Sequence, residues 1–162
     1  MGISIAFWIL AIIGVIAALA VVLLRDIFRA ALSLVLCFLT VAGIYITLSA
    51  DFLAAVQILI YVGAISVLII LAIMLTREVQ HGSPPNRLQI PAFLVAVLFL
   101  GGVAFAMLNT PWPVSSAPPL EPTTPALAGL LFGEGGFILP VEIAPILLLA
   151  AILGAIALAR EK

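Results

Sequence analysis

Charge is what this sequence has least of: six Lys and Arg and seven Asp and Glu in 162 residues, or 8% of the chain, against 66% hydrophobic. That balance excludes a water-soluble globule, which carries about a quarter of its residues as charged side chains. The net charge of −1 also leaves no basic footprint for a nucleic acid. One cysteine, Cys37, permits neither a disulfide framework nor a thiolate metal site within the chain. One histidine, His81, has no second His or Cys at ligand spacing, so the sequence argues against a zinc-type centre. Glycine-rich phosphate loops, a nucleophile with a base at hand and haem-attachment motifs are absent as well.

What is there is apolar length. Five runs, at 3–24, 30–50, 52–76, 91–108 and 138–159, each approach the ~20 residues a helix needs to cross a hydrocarbon core. The expectation is an all-α integral membrane protein with five transmembrane helices. It forms a single membrane domain over 1–162, with a proline-rich loop at 109–137. The first run has no positive flank before it and is too long for a signal-peptide core, so it is read as a retained helix. Short turns at Arg25-Asp26 and Ala50-Asp51 should hold the first three helices as an antiparallel cluster.

The basic residues set an orientation. Arg25 and Arg29 follow the first span, Arg77 and Arg87 the third, Arg160 and Lys162 the fifth, which puts all of them on one side. The other side receives the N-terminus, Asp51 and the loop with Glu121 and Glu134. By the positive-inside rule the N-terminus is outside and the C-terminus cytoplasmic.

Gly82, Ser83, Pro84, Pro85 and Asn86 mark a cytoplasmic turn region, and Pro111, Pro113, Pro118, Pro119, Pro122 and Pro125 forbid a regular helix in the first half of the outer loop. Within that loop Thr124 reads as an N-cap, Pro125 as a first helical residue and Gly133 as a stop, giving a short helix over 125–132 at the outer surface.

Few residues have chemistry to offer. In the second span Ser33, Cys37, Thr40 and Thr47 share roughly one face, where small and hydroxyl groups let helices approach and hydrogen-bond across the contact. Gly14 with Ala18, and Ala151, Ala155 and Ala159, mark helix contacts in the same way. Glu142 is the one carboxylate inside an apolar run. It is either a structural acid at the start of the fifth helix, capping free N–H groups, or a proton carrier.

The third span places Gln57, Tyr61 and Gly63 near its middle, although tyrosine prefers the interface. Gln57 and Tyr61 lie one turn apart on a common face, and Gly63 costs ~1 kcal/mol of helix propensity relative to Ala. Either a neighbour packs closely on Gly63, or the helix rearranges there through a π-bulge.

The run from Arg29 to Phe38 (RAALSLVLCF), then Ala42-Gly43-Ile44-Tyr45, FLAAVQILIYVGAISVLIILAIML, and LPVEIAPILLLAAILGAIALAR from Leu139 to Arg160 resemble one family. It is the J subunit of bacterial NADH-quinone oxidoreductase, which corresponds to NADH dehydrogenase subunit six of mitochondrial respiratory complex I. The resemblance implies a core subunit of the membrane arm of an enzyme that couples electron transfer from NADH to quinone with proton translocation. It implies a π-bulge at Tyr61, Val62 and Gly63 that acts as a conformational switch beside carboxylates of neighbouring subunits, with Gln57 and Glu142 as polar modulators of a proton path. Pro145 departs from the small or polar residue usual near that glutamate.

It also implies a chain with no catalytic group and no cofactor of its own, while NADH, FMN, iron-sulfur clusters and quinone are held by partner subunits. Those partners would be the A-, H-, K- and N-type membrane subunits, in the inner (cytoplasmic) membrane of a bacterial cell. A donor other than NADH is compatible with the same membrane arm. A small membrane transporter that oligomerises, or an assembly scaffold, is the alternative from a different class.

Overall fold

The computed structural model describes residues 2–76, 87–112 and 122–160, and over these it is built of helices without strands. Expectations placed on Met1, Arg77, His81, the turn residues at 82–86, Pro113, Pro118, Pro119, Glu121 and Lys162 lie outside the described residues. The elements are α1 (Gly2–Leu23), α2 (Ile27–Thr47), α3 (Asp51–Val56), a π-helical segment (Gln57–Ile65), α4 (Ser66–Leu75), α5 (Gln89–Asn109), α6 (Thr123–Phe132) and α7 (Ile138–Ala159). α3, the π segment and α4 run on as one span, Asp51–Leu75, so five helices are long and apolar enough to cross a membrane.

Local chemistry fixes the ends. α2 begins three residues before the apolar run because the Asp26 carboxylate accepts from the amides of Phe28 (2.9 Å) and Arg29 (3.2 Å), satisfying two donors the helix cannot. The nearby Arg29–Asp26 pair, 3.5 Å apart and exposed on both sides, contributes little. At the other end Ser49 takes a left-handed φ of 58° while the Ala50 amide returns to the Tyr45 carbonyl at 2.9 Å. The chain thereby reverses in three residues into the third span.

Packing is centred on α2. α1 lies along one side of it and the third span along the other, and α1 and the third span do not touch. The expected cluster is therefore a row. The α1 seam runs Phe7, Leu10, Gly14, Ala17 and Val21, all shielded, at the alternating spacing of three and four that keeps one stripe toward a partner helix. Ala17 is buried and Ala18 is not, which corrects the expected Gly14 and Ala18 pair by one residue.

Two reciprocal fits lock the seam: a Cβ at Gly14 would meet Thr40 Oγ1 at 2.9 Å, and one at Gly43 would meet Leu10 Cδ1 at 2.9 Å. Each helix supplies one hole and one knob. Lipid tails are as apolar as leucine, so this close approach, not removal from water, holds the pair.

The hydroxyls of α2 do not bond across to neighbouring helices. Ser33 donates to Arg29 O (3.0 Å), Thr40 to Cys37 O (2.7 Å) and Thr47 to Ile44 O (2.8 Å), all within their own helix. A back-bond one turn away is always available to a helical Ser or Thr, and it needs no partner helix.

The remaining helices are thinly attached. Among the described residues α6 packs against α3, α7 touches only α6, and α5 packs against none of the other helices. Ala151, Ala155 and Ala159, expected at a helix contact, are exposed. α6 starts at Thr123, so Thr124 is inside the helix and is not its N-cap. Gly133 does end it, and the reversal into α7 rests on Gly135 at φ 78° and on Gly136, where a Cβ would lie 2.7 Å from the Leu130 carbonyl oxygen.

Candidate functional site: the π-helical centre of the third span

Over Gln57–Ile65 the third span is a π-helix nine residues long. It covers Tyr61, Val62 and Gly63. A regular helix of this composition would gain i→i+4 bonds throughout, so the looser i→i+5 turn, rare in proteins and concentrated at functional positions, calls for local support. The structure shows three sources of it.

The first is Ser66. Its backbone amide reaches the Tyr61 carbonyl, five residues back, and its hydroxyl donates to the same oxygen at 2.7 Å. Ser66 is buried, and both lone pairs of one π-helical carbonyl are thus used by one residue. α4 then resumes i→i+4 bonding, and by that count the Val62 carbonyl is passed over in the ladder. Sequence reasoning missed Ser66, although a serine five residues after Tyr61 is the spacing of a π-turn.

The second is Phe38 of α2. The Gln57 side chain is buried and donates from Nε2 to the Phe38 carbonyl over a long 3.4 Å. Tyr61 sets its ring edge-on against the Phe38 ring, with centroids 5.3 Å apart at 66°, an arrangement worth about 0.5–1.5 kcal/mol beyond simple contact. Gln57 and Tyr61 therefore meet the same residue of the neighbouring helix, one by amide and one by ring. Tyr61 is nonetheless 43% exposed, and its hydroxyl has no hydrogen-bond partner among the described residues. In the sequence Phe38 is one apolar residue of the Arg29–Phe38 run, with nothing to set it apart.

The third is Gly63. A Cβ there would meet only the Ile58 carbonyl oxygen, at 3.4 Å, with no atom of another helix within 4 Å. Among the described residues no other helix packs on this glycine, and the one contact a Cβ would make is an ordinary van der Waals approach inside its own π-turn.

Glu142 lies apart from this constellation. α7 begins at Ile138, which makes Glu142 its fifth residue; the first turn contains no acid and no side chain caps it. The capping role read from sequence is not realised. The glutamate is exposed and makes no hydrogen bond to any other described residue. Pro145 sits inside α7 without ending it. Among the described residues no group of three or more His, Cys, Asp or Glu could hold a metal ion.

A chain of five apolar spans, with a π-helical turn at the centre of one that is tied to its neighbour through a buried amide and an aromatic pair, is a multi-pass membrane protein. The family model of NADH-ubiquinone/plastoquinone oxidoreductase chain 6 matches residues 17–158, and the chain belongs to that family. It is similar to F(420)H(2) dehydrogenase subunit J of Methanosarcina mazei, with 40% identity over 160 residues that cover 96% of this chain and 90% of the relative. It is also similar to NAD(P)H-quinone oxidoreductase chain 6 of Synechocystis sp., with 43% identity over 160 residues covering 97% and 80%. The same protein of Leptolyngbya boryana is 40% identical over 161 residues covering 98% and 80%.

Proposed function

We propose that this chain is a membrane-arm subunit of a proton-pumping quinone oxidoreductase of the complex I type, and that its third span changes between π-helical and regular forms during coupling. The observation that carries this is the π-helix at Gln57–Ile65 in a chain of that family. Removing the one extra residue from a π-turn rotates everything beyond it by about 100°, the angle per residue of an α-helix. Conversion would turn α4 relative to α3 and change which side chains face the next subunit. Two forms separated by a few kcal/mol suffice for a remote event to select one.

The chain itself contributes no redox centre and no catalytic group. Electrons pass through FMN and iron-sulfur clusters of partner subunits to quinone, and the A-, H-, K- and N-type subunits are its neighbours in a hetero-oligomer. NADH is the donor in the leading reading. Since relatives are named for NAD(P)H or for F(420)H(2), the donor is the part of the assembly that varies. The host membrane is the inner membrane of a bacterial cell, with the N-terminus outside and the C-terminus in the cytoplasm. Thiol labelling of single cysteines at Ser49 and Arg87 in a Cys37→Ala background tests that orientation, and labelling of position 49 from the cytoplasm reverses it.

Purification in mild detergent tests the function. The chain should co-migrate with a large complex that contains redox subunits. A stable homo-oligomer of this chain alone would instead indicate a transporter or a scaffold.

Glu142 is modulatory in this reading. Glu142→Gln, which keeps size and most hydrogen-bonding capacity, should assemble normally and pump protons at close to the wild-type ratio per electron pair. Full electron transfer with no pumping in reconstituted vesicles would make Glu142 an obligatory carrier.

A further inference from the structure

The outer end of the third span is tied to α6 by an exchange of caps. Asp51, the first residue of α3, accepts from the backbone amide of Thr123 at 2.9 Å, from the Thr124 hydroxyl at 2.8 Å, and from the Thr123 hydroxyl. In return Thr123 Oγ1 accepts from the Phe52 amide at 3.4 Å. Both amides are among the first-turn donors that a helix cannot satisfy from within, and neither helix has a side-chain cap from its own N-cap residue, Ala50 or Pro122. Each therefore borrows its cap from the other, across more than 70 residues of sequence. Beneath the polar exchange, Phe52 and Leu53 of α3 face Ala126, Leu127 and Leu130 of α6 across an apolar cleft of about 370 Å³.

We propose that this reciprocal cap joins α6 and the first turn of α3 into one body and makes it the fixed end of the third span, so that a change of twist in the π segment is delivered to α4. The inference rests on the twist reading of the function, which it extends by giving the motion a pivot and a direction. A helix with nothing attached at either end would share the rotation between them. One that carries a second helix at its start on four hydrogen bonds turns mainly at its other, unburdened end.

Two measurements on the purified complex test this, and they fail separately. The first is hydrogen exchange at rest. Asp51→Ala and Thr123→Val should each raise exchange of the α6 amides about fivefold, as loss of a helix cap does, and the double variant should do little more than either. Unchanged protection in assembled Asp51→Ala complex overturns the cap as an anchor, whatever the π segment does.

The second compares spin labels at the exposed alanines Ala55 and Ala72 in a Cys37→Ala background, at rest and during turnover. Mobility should change at position 72 and stay constant at position 55, and in Asp51→Ala it should change at both. A change at both positions with the cap intact overturns the pivot alone. No change at either overturns the twist reading and the pivot with it.

Discussion

Gly63→Val should leave a complex of normal subunit content whose quinone-reductase rate falls about tenfold, with proton pumping falling in step. A Cβ at Gly63 already stands 3.4 Å from the Ile58 carbonyl oxygen, and valine adds two γ-carbons on a stiff χ1. The added bulk inside the π-turn should disfavour the π form, while no other described helix lies within 4 Å of the Cβ to be displaced. Each ~1.4 kcal/mol of bias shifts a two-state population tenfold, and a coupled machine slows when either state is scarce.

Two milder variants bracket the effect. Ser66→Ala removes a hydroxyl bond worth about 0.5–1.5 kcal/mol net and should slow turnover less. Tyr61→Phe keeps the ring against Phe38 and should be the mildest of the three. Rates and proton stoichiometry in vesicles, normalised to complex content, decide the matter. Wild-type turnover in fully assembled Gly63→Val enzyme would end the moving-helix reading.

Gly43→Val should act on stability, and more severely. The site where its Cβ would go is filled by Leu10 Cδ1 at 2.9 Å and Cδ2 at 3.0 Å, in the contact that joins α1 to the central helix. Overpacking of this kind costs about 1–3 kcal/mol, and among the described residues α1 packs only on α2, with no second helix to lean on. The expected result is loss of most of the chain from the membrane-bound complex by immunoblot, with the remainder dissociating at lower temperature. Leu10→Ala in the same chain should restore part of the complex by opening the room. Absence of any rescue would mean that the Leu10 contact is not what the variant breaks.

The two glycines show how differently sequence signals translate. The five spans were legible because an apolar run of that length has one stable outcome in a bilayer, and their bounds shifted by no more than three residues, most at the second, which the Asp26 cap starts at Ile27 and the turn after it ends at Thr47. The unusual third span was legible too, since a glutamine, a tyrosine and a glycine near the middle of a helix in lipid need a reason. Its detailed support was not. Ser66 looks like any small residue at a packing face until the register of hydrogen bonds is known, and Phe38 looks like any apolar residue until its neighbour is placed.

The choice of Ala18 over Ala17 on α1 illustrates a further limit. In a helix that is hydrophobic all round, periodicity does not identify the contact face, and only the partner's knobs at Leu10 and Thr40 do. The exchange of caps between Asp51 and Thr123 has no local signature at all, because each half completes a helix on the far side of the outer loop. Thr124 was accordingly assigned a cap for its own helix, and the start of α6 was placed two residues late.

The Ser66 hydroxyl has a kinetic consequence. Held by the Tyr61 carbonyl five residues back, it needs only a small rotation to reach the carbonyl four residues back, that of Val62, which is the ordinary acceptor for a serine in a regular helix. The same donor can therefore serve the π form and the α form in turn, and passing between them leaves it with a partner in each. A donor that keeps a partner in both forms lowers the cost of passing between them, so that an event elsewhere in the assembly can select either one.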